Sequence, residues 1–150
     1  MQILIVGAGI VGFNLAEELS KEGYDIAIVD EDSEKIKQIS EKLDVLWICG
    51  NACLPSVLIK AGIEKTEMVI AVTNKDETNL FVCMLAHKFK VRKRFARLRH
   101  REFTNETQVF KPDDLFIDQA INPEEIIIDF ILSILETPGA VNCAEFAEGK

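Results

Sequence analysis

Six short runs of apolar and β-branched residues recur along the chain and alternate with longer amphipathic segments. The runs span residues 3–6, 26–29, 45–48, 68–72, 95–98 and 115–117. They lack the strict polar alternation of a half-exposed sheet, a pattern typical of parallel strands covered by helices on both faces. The chain is therefore predicted to form a parallel sheet of about six strands within an α/β domain.

The segments between these runs have helical periodicity. Val11, Leu15 and Leu19 share one face of a predicted helix, and Pro55 suits the first turn of another. Residues 78–89 are apolar nearly all round, which predicts a well-buried helix. Alternating strands and helices predict right-handed crossovers and a doubly wound sheet with strand order 3-2-1-4-5-6. Residues 102–114 are expected to form a loop with no more than one helical turn.

The last predicted helix is too apolar for an ordinary surface helix. Asn122 as the cap, Pro123 at the first helical position and Glu125 at the third predict a sharp helix start. From Ile126 to Leu135, eight of ten residues are apolar, which is more than one sheet face can cover. We expect another chain or domain to cover this helix, and complete burial in the chain's own core is the alternative.

Composition and charge narrow the classes of function. The chain has 150 residues, of which 48% are apolar, and a formal charge of −8. This is enough apolar material for the core of one domain, and the charge argues against nucleic acid or an anionic membrane as a bulk partner. Residues 1–100 hold 14 acids and 14 bases, whereas residues 101–150 hold 11 acids and three bases. The excess negative charge therefore belongs to the last third of the chain.

Four cysteines are scattered through the chain: Cys49, Cys53, Cys83 and Cys143. The first apolar run leads directly into a glycine turn and is too short for a signal or an anchor, so a reducing cytoplasm is the expected compartment. Cys83 and His87 share a helix face, but the sequence has no second pair at ligand spacing. We therefore expect thiols that pack as small apolar side chains and no metal site.

The first candidate site is the glycine-rich turn Gly7-Ala8-Gly9-Ile10-Val11-Gly12, which follows the first strand and opens the first helix. In this context Gly7 permits a tight turn, Gly9 lets the backbone approach a pyrophosphate, and Gly12 lets the helix pack closely on the strand. The helix start offers N–H groups and a partial positive charge to phosphates. The alternative is that the glycines serve only a tight strand-to-helix turn.

An acid at the end of the second strand extends this site. Asp30 lies 18 residues beyond Gly12, where a carboxylate accepts hydrogen bonds from both ribose hydroxyls. Glu31 and Asp32 follow, and three consecutive acids without an arginine disfavour the 2′-phosphate of NADP. A solvated acidic cluster at a helix entry is the alternative.

Two further strand ends supply candidate contacts. Asn51, Ala52 and Cys53 follow the third strand, next to where an adenine would lie, although a Gly-Asn turn is common for backbone reasons alone. Thr73 and Asn74 follow the fourth strand and would face the glycine turn across the crevice at the switch point. Asn74 is also a good helix cap, with Glu77 three residues later.

A band of eight bases without an acid runs from Lys88 to Arg101. Arg97 and Arg99 lie two apart near the carboxyl end of the fifth strand, so we expect them to bind phosphate or to contact another subunit. Acids of the last third, such as Asp118, Glu124 and Asp129, are expected to meet the band of a neighbouring lobe.

Several motifs in this order resemble one known family. They are GAGIVG in residues 7–12, VD in 29–30, GNAC in 50–53, VTNKDETN in 72–79, ARLR in 96–99, NPEE in 122–125 and PGA in 138–140. Together they are similar to the N-terminal domains of TrkA, the RCK or KTN class of regulatory domains of bacterial Trk potassium uptake. The resemblance covers essentially the whole chain, and VTNKDETN is its most specific motif.

The resemblance implies a Rossmann-like, NAD- or NADH-binding regulatory subunit that is not an enzyme. Such subunits assemble into rings or dimers of dimers at the cytoplasmic face of a membrane potassium transporter. It also implies that the glycine turn, Asp30, Thr73, Asn74 and Arg97 line the nucleotide site. Residues 1–120 would be the nucleotide-binding domain. Residues 121–150 would be a crossover helix and the start of a linker to a C-terminal lobe of a longer protein.

Two alternatives stay open. Related members that bind ATP or ADP often have an arginine inside the glycine turn; here Ile10 and Val11 occupy those positions, which favours a dinucleotide without excluding ADP or ATP. The second alternative is the cofactor domain of an NAD-dependent dehydrogenase. Hydride transfer would require a proton donor, and the only histidines in the sequence are His87 and His100.

Overall fold

The protein folds around one six-stranded parallel sheet. A computed structural model describes residues 1–104 and 109–136. The strands are β1 (Gln2–Val6), β2 (Asp25–Asp30), β3 (Leu46–Cys49), β4 (Met68–Ala71), β5 (Lys93–Arg97) and β6 (Gln119–Ile121). They lie in the order β3-β2-β1-β4-β5-β6, and every neighbouring pair is parallel. The predicted doubly wound order 3-2-1-4-5-6 is confirmed.

Within the described residues, five α-helices connect and flank the strands. They are α1 (Ile10–Lys21), α2 (Ser33–Lys42), α3 (Pro55–Lys60), α4 (Asp76–Lys88) and α5 (Pro123–Glu136). Helix α4 begins two residues earlier than its apolar pattern predicted, and its N-cap is Lys75. The prediction that Asn74 caps this helix is therefore wrong. The loop predicted over residues 102–114 has 3-10 turns at Arg101–Phe103 and Pro112–Leu115, and residues 105–108 lie outside the described residues.

The strand side chains alternate between two buried cores. Leu4 and Val6 of β1 belong to a core with residues of α3 and α4, whereas Ile3 and Ile5 belong to a second core with residues of α1 and α2. The same alternation continues in β2 and β4, because successive side chains of a strand point to opposite faces. Burial on both faces explains why the sequences of these strands are continuous apolar runs without alternating polar residues.

The sixth strand was predicted in the wrong place. Residues 115–117 are not a strand: Leu115 ends a 3-10 turn, and Phe116 has a left-handed φ of 57°. The ring of Phe116 stacks on His87 of α4 with 4.7 Å between the ring centroids. These apolar side chains anchor a loop to the body. The strand itself, β6, is short, polar at Gln119 and only partly buried at the sheet edge, so its sequence gives a weak strand signal.

Helix α5 begins where the sequence predicts and lies on the surface. The Glu125 N–H donates to Oδ1 of Asn122 at 3.4 Å, and the Ile126 N–H donates to the Asn122 carbonyl oxygen. No residue of α5 is buried, and Ile127 and Leu135 are 58% and 69% exposed. The alternative of a fully buried last helix is therefore wrong, and the apolar excess faces outward.

The acidic last third meets the chain's own basic band. Ion pairs join Arg94 to Asp118 at 3.9 Å and Arg99 to Glu124 at 3.6 Å. A third pair joins Arg101 Nε to Glu125 Oε1 at 2.9 Å. The expectation that Asp118 and Glu124 meet a neighbouring lobe is corrected: both pair within the chain, because β6 and α5 lie beside β5.

The cysteine environment is mixed. Cys83 is buried in α4, where burial raises the pKa of its thiol to about 12, and its Sγ lies 3.7 Å from the Phe95 carbonyl oxygen. Cys49 is exposed, Cys53 is half-buried, and Cys143 and residues 138–140 lie outside the described residues.

Over residues 1–104 and 109–136 no cluster of metal-ligating side chains forms. None of the helices described there is long and apolar enough to cross a bilayer.

Candidate functional site

A cavity of about 260 Å³ lies along the carboxyl ends of β3, β2, β1 and β4. Ligands of open α/β sheets bind at this edge, next to the point where the strand order reverses. Its volume is near the lower end of the range for small-molecule sites. The cavity is lined by Val6, Gly7, Gly9, Val29, Asp30, Glu31, Lys35, Gly50, Asn51, Ala52, Cys53, Val72, Thr73, Asn74, Lys75 and Thr78.

Two glycines of the turn are required by the fold itself. Gly7 has a φ of +108°, and a Cβ there would lie 2.9 Å from the backbone nitrogen of Thr73. A Cβ on Gly12 would lie 1.8 Å from the carbonyl oxygen of Gly7. Both positions exclude any side chain, since backbone atoms fill the space. They hold the start of α1 against β1 and bring the β4 end close to the turn.

Gly9 differs from these two glycines. Its φ of −70° and ψ of −167° are open to any residue, and a Cβ there would meet no protein atom within 4 Å. It is the N-cap of α1, where Ser, Thr, Asp or Asn would stabilise the helix better. Neither the backbone nor protein packing requires glycine here, and Gly9 borders the cavity. The open space suits close approach of a ligand to the backbone.

Asp30 joins the second strand end to the glycine turn. Its Oδ2 accepts the Ala8 N–H at 2.7 Å, and its Oδ1 accepts the Asp32 N–H at 2.8 Å. These bonds fix the rotamer of a carboxylate that lines the cavity. A carboxylate has about four lone-pair positions, so each oxygen keeps acceptor capacity for a hydroxyl. The Asp30 carboxylate can therefore accept hydrogen bonds from a diol, and the neighbouring backbone N–H groups can donate to an anion.

The end of β3 forms a tight turn beside Asp30. Gly50 donates its N–H to the Asp30 carbonyl oxygen at 2.9 Å, and Asn51 Oδ1 accepts the Cys53 N–H at 2.9 Å. The turn uses the amide oxygen of Asn51. Its Nδ2 donates to no group among the described residues and stays available. Ala52 is buried against the core while lining the cavity.

Two buried polar residues of α4 position the β4 loop, and the sequence reasoning assigned them no role. Asn79 is fully buried: its Oδ1 accepts the Thr73 N–H and hydroxyl at 3.0 and 2.7 Å, and its Nδ2 donates to the carbonyls of Thr73 and Arg97. Asp76 accepts the N–H groups of Arg99 and His100. Both lie in the VTNKDETN motif, and a polar residue amid an apolar helix face was the available signal.

Six of the predicted site residues do not line the cavity. Ala8 acts through its N–H to Asp30, and Gly12 through packing. Ile10 is exposed in the first turn of α1, and Val11 packs on the core beside it. The other two are Arg97, the last residue of β5, and Arg99, which follows it.

Arg97 and Arg99 lie beyond β4, outside the cavity. Arg99 approaches Asn74 at 3.5 Å and pairs with Glu124. Arg97 has a buried Nε without a hydrogen-bond partner among the described residues, which is an unusual cost for a guanidinium. Their assignment as phosphate ligands stays a prediction.

Comparison with known proteins identifies similar sequences. The sequence-family model of the TrkA-N domain matches residues 3–123 of this chain. The Trk system potassium uptake protein TrkA of Halomonas elongata is 39% identical over 150 residues, and that of Vibrio alginolyticus is 40% identical over 152 residues. The matches cover 99% and 100% of this chain but 33% of each relative. The chain thus spans about one third of the length of these curated relatives.

Solved structures share the fold at low sequence identity. The TrkA-N domain of the inner membrane protein ybaL from Escherichia coli has a TM-score of 0.76 at 19% identity, covering 89% of this chain and 96% of that one. The GsuK channel bound to NAD has a TM-score of 0.73 at 15% identity, covering 87% and 23%. GsuK bound to ADP has a TM-score of 0.68 at 23% identity, covering 90% and 34%.

Proposed function

The chain belongs to the TrkA-N domain family, which confirms the resemblance of its motifs, and from that premise we propose that it is a nucleotide-binding regulatory domain of potassium uptake. Its relatives are named as Trk system potassium uptake proteins. Because the chain spans one third of their length, the regulated transport, the Trk-type membrane partner and the place at the cytoplasmic face of the membrane all belong to the proposal.

The observation that carries the proposal is the open side of Gly9 beside the oriented carboxylate of Asp30. A glycine that the fold does not need, at the start of a 12-residue helix, suits a phosphate close to the backbone. Asp30, tied to the same turn by the Ala8 N–H, suits the ribose. Adenine would lie at Asn51, Ala52 and Cys53, where an amide donor and a small apolar surface meet. The residues therefore fit an adenine nucleotide.

The proposed ligand is NAD or NADH, with ADP or ATP as the alternative. The glycine turn contains Ile10 and Val11 and no cationic side chain. This favours a dinucleotide over ADP or ATP, whose terminal phosphate would gain from a cation there. Thr73 and Asn74 line the cavity after β4, beside the glycine turn, and would contact the second half of the ligand. GsuK has been solved with NAD and with ADP, so the shared fold is compatible with both kinds of ligand.

Regulation requires that the ligand bind two conformational states with different affinity. We assign residues 1–120 to the nucleotide-binding domain and residues 121–150 to a crossover segment that begins with α5. Arg99 connects the two, since it approaches Asn74 at the cavity and pairs with Glu124 of α5. A homo-oligomer that covers α5 through Ile126 to Leu135 would transmit a change at the cavity to a neighbouring lobe.

A catalytic role has less support. A dehydrogenase needs an acid or base at the reacting end of the cofactor. His87 stacks on Phe116 at the far end of α4, and His100 follows β5; neither lines the cavity. We propose that the bound nucleotide acts as a signal and not as a redox reagent.

Calorimetric titration of the chain with NADH, NAD+, ADP and ATP tests the nucleotide site. We expect saturable binding that Asp30→Asn weakens by about tenfold or more, because the ribose loses a charged acceptor. Asp32→Asn is the matched control: Asp32 caps α2 outside the cavity, and Asn caps equally well. No binding of any of the four at millimolar concentration, or equal losses in both variants, would overturn the proposal.

A further inference from the structure

Lys75 lies at the end of the cavity opposite the Asn51 turn. The lining residues follow the sheet order, from Asn51 at β3 through Asp30 at β2 and Gly9 at β1 to Lys75 after β4. With the base at β3 and the ribose at Asp30, as the proposed function requires, the group beyond the first phosphate points toward Lys75. In ADP that group is a terminal phosphate and in ATP a pair of phosphates, whereas in a dinucleotide it is a phosphodiester that carries less negative charge and leads to the second ribose and the nicotinamide.

The backbone of Lys75 is held in place. Its N–H donates to the Thr73 hydroxyl oxygen at 3.3 Å. Its carbonyl oxygen accepts the Asn79 N–H at 3.1 Å. Asn79 is itself fully buried. The start of the lysine side chain is therefore fixed at the cavity wall, and only its flexible stem and ammonium group are free to move.

The ammonium group has no ion-pair partner among the described residues. None of their carboxylate oxygens lies within 4 Å of Lys75 Nζ. The next residue, Asp76, is buried and accepts the N–H groups of Arg99 and His100. At the other end of the cavity, the lining includes Lys35 together with two acids, Asp30 and Glu31. Lys75 is thus the uncompensated charge at the β4 end.

The fold by itself disfavours a lysine here. Lys75 is the N-cap of the 13-residue helix α4 and forms no side-chain cap, where Asn, Asp, Ser or Thr would stabilise the helix. Its charge also lies at the positive end of the helix dipole. A residue that lowers helix stability and lines a cavity is expected to serve a ligand.

We propose that Lys75 selects the nucleotide by the charge at the β4 end of the cavity. It favours ligands that place a terminal phosphate there, such as ADP and ATP, because a terminal phosphate carries more negative charge than the phosphodiester of a dinucleotide. It also favours NADH over NAD+, whose nicotinamide ring carries a positive charge. The inference rests on the proposed nucleotide function. It predicts which of the proposed nucleotides bind more tightly, a question that the glycine turn leaves open.

Titration of Lys75→Gln with ADP, NADH and NAD+ tests this selection. We expect the affinity for ADP to fall about tenfold, because a charge-assisted contact is lost. The loss for NADH should be about threefold or less, and NAD+ should bind unchanged or more tightly. Lys88→Gln removes the same charge from the other end of α4, about 20 Å away, and should leave all three affinities unchanged.

A second readout separates ligand selection from stability. Lys75→Asn should raise the Tm of the ligand-free protein, since it supplies a cap and removes charge from the helix start, while it lowers ADP affinity as Lys75→Gln does. Equal losses for ADP and NAD+, or none, would overturn the role of Lys75 and leave the nucleotide site intact. A wild-type chain that binds none of the three would overturn the proposed function as well.

Discussion

The two halves of the sheet's carboxyl edge are built differently. On the cavity side, backbone bonds tie each strand end to its neighbour: Gly7 N–H to the Val29 carbonyl at 2.8 Å, Gly50 N–H to the Asp30 carbonyl at 2.9 Å, and Val72 N–H to the Val6 carbonyl at 2.8 Å. On the other side, α5 has no buried residue. Partly or fully exposed ion pairs join this side to the basic band around β5.

This difference separates what the chain completes alone from what it leaves to a partner. The cavity is shaped by packed glycines and buried amides, so it exists before any ligand arrives. The apolar face of α5 is uncovered, and exposed ion pairs contribute little to holding it. We therefore expect substitutions on the cavity side to change unfolding and binding, and substitutions on α5 to change association.

The largest effect is expected from Gly12→Ala. Its Cβ would overlap the Gly7 carbonyl oxygen, so the free energy of unfolding should fall by about 3 kcal/mol or more. Gly9→Ala has no such clash and should cost about 0.5 kcal/mol, yet it should weaken nucleotide binding by about tenfold. Urea denaturation and calorimetry on the two variants measure this contrast. Similar stability losses at both glycines would contradict it.

Asn79→Ala should have the next largest effect. It leaves buried groups of Thr73 and Arg97 without partners, and we expect a loss of about 3 kcal/mol in the free energy of unfolding. Hydrogen exchange should show faster exchange of the Thr73 amide than of amides in β1. Asn51→Ala removes an exposed amide and serves as the control, with a loss of about 1 kcal/mol or less. Unchanged Thr73 exchange would show that Asn79 does not hold the loop.

The double variant Ile127→Glu and Ile131→Glu tests whether the exposed apolar face of α5 mediates self-association. These side chains are 58% and 50% exposed and lie on one helix face. We expect the Kd of self-association to rise about tenfold or more, while thermal unfolding of the monomer changes little. Sedimentation velocity measures the oligomer. Ser133→Glu adds charge on another side of the helix as the control, and a double variant that associates like the wild type would refute α5 as the interface.

Burial of the Cys83 thiol in α4 is expected to make the free energy of unfolding depend on pH. Burial disfavours the thiolate and raises the pKa of Cys83 to about 12, well above the ordinary value for a thiol. Above pH 9 the unfolded thiol ionises and the folded one does not, so stability should fall as pH rises from 9 toward 12, by about 1.4 kcal/mol near pH 10. Denaturation at pH 8 and pH 10 checks the sign. Cys83→Val should remove this part of the loss, and an unchanged loss would rule out Cys83 as its source.

The smallest effect is expected from the ion pair between Arg101 and Glu125. Its partners are 70% and 38% exposed, so Arg101→Gln should cost less than about 1 kcal/mol. The loss should shrink further at high salt, because solvent ions screen exposed charges. Denaturation at low and high salt measures it. A loss as large as that of Asn79→Ala would show that α5 is bound more firmly than its exposure indicates.

Sequence patterns alone predict the sheet order, the glycine turn, the strand-end position of Asp30 and the Asn122 cap before α5. These features depend on local signals: apolar runs of strand length, glycines at fixed spacing, an acid at a strand end, and a cap followed by proline. Each signal lies within a few residues, and the rules of parallel connection then leave few topologies.

Which residues meet across the fold depends on tertiary packing. The packing places β6 at Gln119–Ile121, since an edge strand needs little apolar pattern and the apolar residues before it serve as anchors. It gives Asn79 its four bonds and lets Arg99 pair with Glu124 while it approaches Asn74. It brought Lys75 to the cavity wall. These outcomes depend on contacts between distant residues, whose partners no local pattern identifies.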